Sequence, residues 1–365
     1  MSKQTLGIYG PLPGDRSGVA TYIADSLTSL AAYYEPVRAE PGTDPDQFDR
    51  VLYHLGNNAM HEAAFGALAT RPGPVILHEY NNLDYYLSSW DRLSNGEQDR
   101  FLVLAGRYLG RRFRDRAELD YYLDAHSELD RYSMDMGVES IAIEQATQVL
   151  VHSPEARLVL ARRYPKARIQ HIPFGVHPIT PPDRTELFAA WGLPADAFVF
   201  ATFGFLGAYK RIGPLLQAWR QWHDRPADAV LLLAGEARDG LDVPDDPTIV
   251  HTGYLPDPDF DQLLVSVDCA IQLRGPWLGE SSGPLTKLLA HRRPVITSEI
   301  TGLRLLADTH DVTYVPVGNS EVDGLTDALR ARYGLRPPVP RFDAGYDWNI
   351  WAAAVCTATS QAAPV

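Results

Sequence analysis

The feature that most constrains this chain is an alternation, made twice over, of short apolar runs ended by turn residues with stretches of helical periodicity. In the first half the runs are Leu6-Gly-Ile-Tyr9, Val51-Leu-Tyr-His-Leu55, Val75-Ile-Leu-His78, Val149-Leu-Val-His152 and Arg168-Ile-Gln-His-Ile172. Short runs of this kind read as buried strands. Between the first two, Ser17 to Ala31 sets Val19, Tyr22, Ile23, Leu27 and Leu30 on one helical stripe, with Ser17 placed to cap it. The second half repeats the scheme at Phe198 to Gly204, Ala229 to Gly235, Thr248 to Gly253, Asp268 to Leu273 and Pro294 to Ser298. Strand alternating with helix predicts an α/β chain with two doubly wound parallel sheets. The length of 365 residues also exceeds what one hydrophobic core sustains, about 250–300 residues.

The Pro-rich stretch Phe174 to Asp183 has no period and reads as the linker. The expected division is an N-terminal Rossmann-like domain over 1–177, a C-terminal one over 178–345, and a closing helix over 346–365. A ligand is expected where the two domains face across a cleft, at the carboxyl ends of their strands.

Charge narrows the partners. Lys and Arg number 33 against 46 Asp and Glu, a net charge of −13, which disfavours nucleic acid and anionic membrane as partners of the whole molecule. An anionic ligand must then be held by local chemistry. The two cysteines, Cys269 and Cys356, lack the spacing of a metal knuckle or redox pair and read as reduced, which fits a cytoplasmic protein. No secretory h-region and no run approaching 18 apolar residues is present, so neither export nor membrane spanning is expected.

Chemistry concentrates at strand ends. In Gln272 to Ile296 a strand ends at Leu273, a loop carries Arg274 and Glu280, and a helix begins near Ser281 or Ser282, followed by Gly283. Free amides at that helix start, with the positive end of its dipole, form an anion site fit for phosphate. Glu280 would repel a phosphate in contact, so it reads either as an acceptor of hydrogen bonds from neutral hydroxyls beside it or as a helix cap. Phe203-Gly-Phe-Leu-Gly-Ala-Tyr-Lys-Arg211 follows another strand and is neither GxGxxG nor a Walker loop. Its Lys210-Arg211 pair suits a diphosphate, or is a solvated basic pair. In the first half, amides around Ser17 and Gly18 follow the first strand, and His78-Glu79 ends another, where a histidine is either structural or part of a site.

In this order the segments resemble retaining glycosyltransferases of the GT-B fold, specifically glycosyltransferase family 4, over essentially the whole chain. Ser17-Gly18-Val19-Ala20 is similar to the family's glycine loop. Leu55-Gly56-Asn57-Asn58 with His61, then Pro72 to His78, resembles a subgroup pattern LGN…H…PGVVVLHD. Leu273-Arg274-x-Pro276-x-x-Gly279-Glu280-x-Ser282-Gly283 with Arg293-Pro294-Val295-Ile296 resembles LRxPxxGExSG…GRPVI, and Tyr346-Asp-Trp348 resembles a terminal aromatic-Trp motif. The departures are Phe205 where the family often has Arg, leaving Arg274 as the replacement, and Leu288 or Lys287 where many members have a second Glu. Glu79 stands for an Asp, and His291-Arg292 for small residues.

The resemblance implies a nucleotide-sugar donor, a UDP- or GDP-sugar, with Lys210, Arg211, Arg274, Ser281, Ser282 and Gly283 near the diphosphate and Gly253-Tyr254 near the base. Glu280 would meet sugar hydroxyls, and His78 with Ser17-Gly18 would approach from the first domain. No cofactor or metal is expected, because a fixed positive cradle offsets the leaving charge. The rival readings are a pseudo-glycosyltransferase or nucleotide-sugar hydrolase, and a catalytically silent binding partner. Asp257-Pro-Asp-Phe-Asp261 imitates a metal-binding DxD but reads as an acidic helix start. The basic cluster Arg107 to Arg116, on a helical pattern with Phe101, Leu102, Leu109 and Phe113, reads as a solvated face or as a guide for an anionic or lipid-linked acceptor at a membrane periphery.

Overall fold

The computed structural model describes residues 3–126, 134–238, 240–276, 279–307 and 310–361, so Trp277 and Leu278 of the Arg274 loop lie outside the described residues. The chain forms two compact units. The first comprises Met1–Gly175, Leu278–Ser281 and Trp348–Val365, and the second Val176–Trp277 and Ser282–Asp347. The division thus falls after Gly175.

Unit 1 holds strands β1 (Thr5–Tyr9), β2 (Glu35–Arg38), β3 (Arg50–Leu55), β4 (Pro74–Leu77), β5 (Gln148–Val151) and β6 (Ile169–His171), in the order β2-β1-β3-β4-β5-β6. Every neighbouring pair is parallel. Successive side chains on a strand point to opposite faces, so Leu6, Ile8, Leu52, Ile76 and Leu150 fall on one side of the sheet, packed with Tyr22 and Ile23 of helix Gly18–Leu30 and with Trp348, Trp351 and Val355 of helix Trp348–Gln361. Val51, Tyr53, Leu55, Val75, Leu77, Val149 and Val151 fall on the other. Strand order reverses between β1 and β3.

Unit 2 holds β7 (Phe198–Phe203), β8 (Ala229–Ala234), β9 (Ile249–His251), β10 (Cys269–Gln272), β11 (Val295–Ser298) and β12 (Val312–Val315), in the order β12-β11-β10-β7-β8-β9, again all parallel. Here the order reverses between β7 and β10, the point at which doubly wound sheets open a crevice for ligands beyond the strands' carboxyl ends. Asp268, fully buried at the start of β10, accepts hydrogen bonds from Arg184 at 2.9 Å, Arg336 at 3.1 Å and the Val199 amide at 2.8 Å. A buried carboxylate needs such partners, and these three pin the sheet's opposite end.

Candidate functional site

In unit 2 the loops leaving β7 and β10 meet. After Phe203 the chain makes a single 3-10 turn over Ala208–Lys210, and helix Ile212–Gln221 follows. The turn sends Lys210 back toward the sheet, where it is 4% exposed and its ammonium donates to the Phe203 carbonyl. Room for it depends on Gly204, at φ +94°, where a Cβ would lie 2.7 Å from Lys210 Nζ and 3.6 Å from Pro284 Cγ. The ammonium and the first turn of helix Gly283–Ala290 thus flank one glycine.

Among the described residues no carboxylate ion-pairs with Lys210. Burial pushes its pKa well below the usual lysine value, and nearby Arg274 pushes in the same direction. Arg274 is held by its amide, which donates to Ser298 Oγ at 2.9 Å, and its guanidinium lies 4.8 Å over the Tyr209 ring. The Gly275 amide donates to the Tyr209 carbonyl at 3.0 Å, tying the β10 loop to the β7 turn. Two cations therefore gather at the reversal of strand order, one of them buried. The buried Lys210 ammonium, with no carboxylate ion pair among the described residues, would gain from an anion brought beside it.

The other basic residue of the pair is differently engaged. Arg211, left-handed at φ 57°, bonds through Nε to both carboxylate oxygens of Glu321 at 3.0 and 3.1 Å, and Glu321 is 1% exposed. Its fork joins the β7 loop to helix Glu321–Arg332, so Lys210 is the member of the pair left for a ligand.

The helix start at Ser282 is narrower than the sequence implied. Ser282 caps it, with Oγ accepting from the Leu285 amide at 3.4 Å, and Pro284 has no amide hydrogen. Of the first three helical positions only Gly283 offers an N–H to an anion. Lys287 pairs with Asp261 at 2.7 Å and Leu288 lies in the core, so neither candidate for the second family Glu supplies a carboxylate nearby. Asp257 and Asp259 sit in the first turn of helix Asp257–Ser266, the acidic helix start the sequence pointed to. Gly253 turns at φ +69° after β9, and Tyr254 is 50% exposed.

Glu280 belongs to unit 1. Gly279, at φ +78°, brings the segment against Tyr80 and the first turn of helix Pro154–Arg163, since a Cβ there would lie 2.2 Å from Tyr80 Cδ1 and 3.2 Å from Ala156 Cβ. Glu280 is 9% exposed, and burial, then the Glu280 charge, raises the pKa of Glu155. The adjacent Ser281 Oγ is buried without a hydrogen-bond partner among the described residues.

Elsewhere in unit 1, Ser17 caps helix Gly18–Leu30 through Oγ and the Val19 amide at 3.2 Å. His78 follows β4, its amide donating to the Leu55 carbonyl at 2.9 Å, and its Nε2 lies 3.1 Å from Nδ1 of His54. The basic cluster is not one helical face: helix Asn95–Leu109 ends at a left-handed Gly110. Beyond it Arg111 and Arg114 bond to Glu118, and Arg116 to Asp120. Arg107 lines an open depression of about 500 Å³ with Arg100, Glu144 and Tyr164.

Four residues beside these sites were not singled out by sequence reasoning. His152 ends an apolar strand run as His78 does, and His54 lies one residue before the end of another, a signal visible in the sequence. Glu155 and the Phe203 carbonyl carry none, because their roles depend on distant loops folding back.

No family model and no curated protein matches the chain. Among solved structures, HepE of Anabaena in complex with UDP and glucose superposes with a TM-score of 0.55 at 15% identity, over 98% of this chain and 95% of that one. Sucrose-phosphate synthase from Thermosynechococcus elongatus gives 0.53 at 16% identity over 98% and 95%. Trehalose-6-phosphate synthase OtsA gives 0.53 at 10% over 99% and 100%. The likeness is one of fold, and the fold is GT-B.

Proposed function

We propose that the protein is a retaining, metal-independent glycosyltransferase that moves a sugar from a nucleotide diphosphate donor to an acceptor hydroxyl. The observation that carries the reading is the buried Lys210 ammonium beside Arg274 at the point where strand order reverses in unit 2. A diphosphate supplies the anion this cation lacks, and the UDP and glucose bound by HepE, which shares the fold, favour a UDP-sugar over a GDP-sugar.

In this reading Lys210 and Arg274 hold the diphosphate, with the Gly283 amide as a third donor. As the glycosidic bond breaks, charge grows on the leaving phosphate oxygen, and fixed cations in a dry site stabilise it without reorganising. That is the work a divalent ion would otherwise do. Glu280 accepts hydrogen bonds from sugar hydroxyls, His78 bonds to the sugar, and Tyr254 flanks the base. The acceptor hydroxyl attacks on the face the leaving group vacates and its proton passes to the leaving phosphate oxygen. The protein would act in the cytoplasm, where Cys269 and Cys356, both free, stay reduced. Among the described residues no helix is long and apolar enough to cross a membrane, so a lipid-linked acceptor would be met at the membrane's periphery.

One observation favours a second reading, a binding protein that transfers nothing or hydrolyses its donor: the position of the second family Glu holds core Leu288 or the ion-paired Lys287. Incubation with UDP-glucose and GDP-mannose, alone and with acceptor mixtures, separates the readings. Acceptor-dependent release of nucleoside diphosphate supports transfer. Release without acceptor supports hydrolysis, and binding without release the silent module.

A further inference from the structure

Strands β3, β4 and β5 lie side by side, with His54 one residue before the end of β3 and His78 and His152 directly after β4 and β5. The register pairs His54 with Ile76 and Ile76 with Leu150. Residues two apart on a strand share a face, so His78 and His152 lie on the same side of the sheet as His54. Tyr22, from helix Gly18–Leu30, closes the group, its ring 5.9 Å from His54, 5.1 Å from His78 and 5.1 Å from His152. Phe174, Trp348 and Trp351 pack around Tyr22 in turn.

The protons in this group can be counted. His152 Nδ1 donates to the Ile172 carbonyl at 3.4 Å, and His61 Nδ1 to the His54 carbonyl at 2.9 Å. That leaves His54 and His78, stacked at 22° with Nδ1 of the first 3.1 Å from Nε2 of the second, sharing one hydrogen bond. His54 is fully buried, and its other nitrogen, Nε2, has no partner among the described residues. If His78 donated, the proton of neutral His54 would sit on Nε2 as a buried N–H bonded to nothing. If His54 donates from Nδ1, Nε2 keeps only a bare lone pair. Orphaned buried N–H groups are the rarer case in proteins, so His54 is the donor and His78 the acceptor. His78 then carries its own proton on Nδ1, which makes no hydrogen bond among the described residues.

We propose that His54 is a positioning residue that locks His78 as the Nδ1–H tautomer, so that His78 meets substrate as a neutral hydrogen-bond donor and not as a base. The groups acting on the pair all disfavour an imidazolium: after burial itself, His152 and His61 act on both rings, His54 on His78, and Arg38 on His54. A donor at this place suits a sugar oxygen with lone pairs to offer. The role given to His78 rests on the glycosyltransferase reading, whereas the tautomer does not.

The test is a two-bond ¹H–¹⁵N spectrum of imidazole-labelled, ligand-free protein between pH 6 and 8. His78 is expected to show a protonated Nδ1 and bare Nε2 throughout. His54→Leu removes the donor, and His78 should drift toward the Nε2–H form, with kcat down about 10- to 100-fold, as for loss of a partner that orients a histidine, and KM nearly unchanged. His54→Asn keeps a donor near the Nδ1 position and should recover part of both. An Nε2–H or doubly protonated His78 in the wild type overturns the proposal, even where the variants fail to fold. A locked tautomer with kcat unchanged in His54→Leu overturns the positioning role. A wild type that turns nothing over defeats the glycosyltransferase reading, and the spectrum still decides the lock.

Discussion

At the ends of β3, β4 and β5, unit 1 buries imidazoles, while at the end of β7 unit 2 buries an ammonium. Both lie beside the place where strand order reverses, and both are starved of solvent. The imidazoles can shed charge at neutral pH, and they do: burial and neighbouring histidines hold His54 and His78 well below the ordinary histidine value, with Arg38 acting on His54, and burial holds His152 down to about 3. His54 and His78 share a hydrogen bond, and His152 bonds through Nδ1 to the Ile172 carbonyl. Lys210 has a carbonyl and another cation as neighbours, and its own pKa is depressed without a carboxylate to offset burial. A group that can become neutral makes a rigid wall, and one whose charge goes unmet makes a receptor. On the proposed function, ligand affinity would fall to unit 2 and orientation to unit 1.

The largest expected effect breaks the comparison on the unit 1 side. A histidine whose folded pKa lies below its unfolded value of 6.5 leaves the fold with fewer bound protons than the unfolded chain. Stability is then full above pH 6.5 and is lost as pH falls toward the folded value. For His152, between 6.5 and pH 4, the loss is about 3 kcal/mol, with His54 and His78 adding to it. Urea unfolding at pH 7 and pH 4 should show it. His152→Gln should shrink the difference whatever it costs at pH 7, and an unchanged difference means the imidazoles are hydrated.

On the unit 2 side, Lys210→Ala should lower turnover on the order of 10²–10³-fold, the scale for losing one preorganised donor to a developing oxyanion. Quenched-flow measurement of nucleotide release reads this. Full activity in the variant would make Lys210 a packing residue. Glu280→Gln should weaken the sugar nucleotide by on the order of 10-fold, the scale of a hydrogen bond to a charged group, and leave the free nucleoside diphosphate alone. Calorimetry on both ligands decides; equal weakening would make Glu280 an anchor for the segment that Gly279 seats on Tyr80.

Much of this was legible from the chain. Apolar runs marked ten of the strands, because buried parallel strands are apolar on both faces. The two they missed, Glu35–Arg38 and Val312–Val315, are edge strands with half-exposed residues and no such run. Ser17 was readable as a cap because capping is local, and a helix start near Ser281 or Ser282 was readable too, although the cap there is Ser282 and not Glu280. Lys210 was readable as basic at a strand end, but its burial was not, since that depends on Gly204 and Pro284 from loops far apart in sequence. Arg211 looked equivalent to Lys210; its partner Glu321 lies 110 residues on, beyond any local pattern. His78 was legible as a strand-end residue while His54 and His152 were not singled out, and only the parallel register makes the three a group.

The smallest expected effect sharpens the comparison most. A lysine whose folded pKa lies below 10.5 binds fewer protons in the fold than in the unfolded chain at intermediate pH, so stability rises as pH climbs from the folded value toward 10.5. Lys210→Met keeps the volume and drops the charge. Subtracting its unfolding free energy from that of the wild type cancels every other titration, provided the substitution disturbs nothing else. The difference should move in favour of the wild type as pH rises from 7 to 10, opposite in direction to an acid loss and far from the histidine window. Saturating UDP should flatten the slope, because a bound diphosphate restores the ammonium's preference for its proton. A slope that persists with UDP bound would place the phosphates elsewhere, and a flat difference without UDP would mean that water reaches Lys210, leaving the two strand ends no longer opposed.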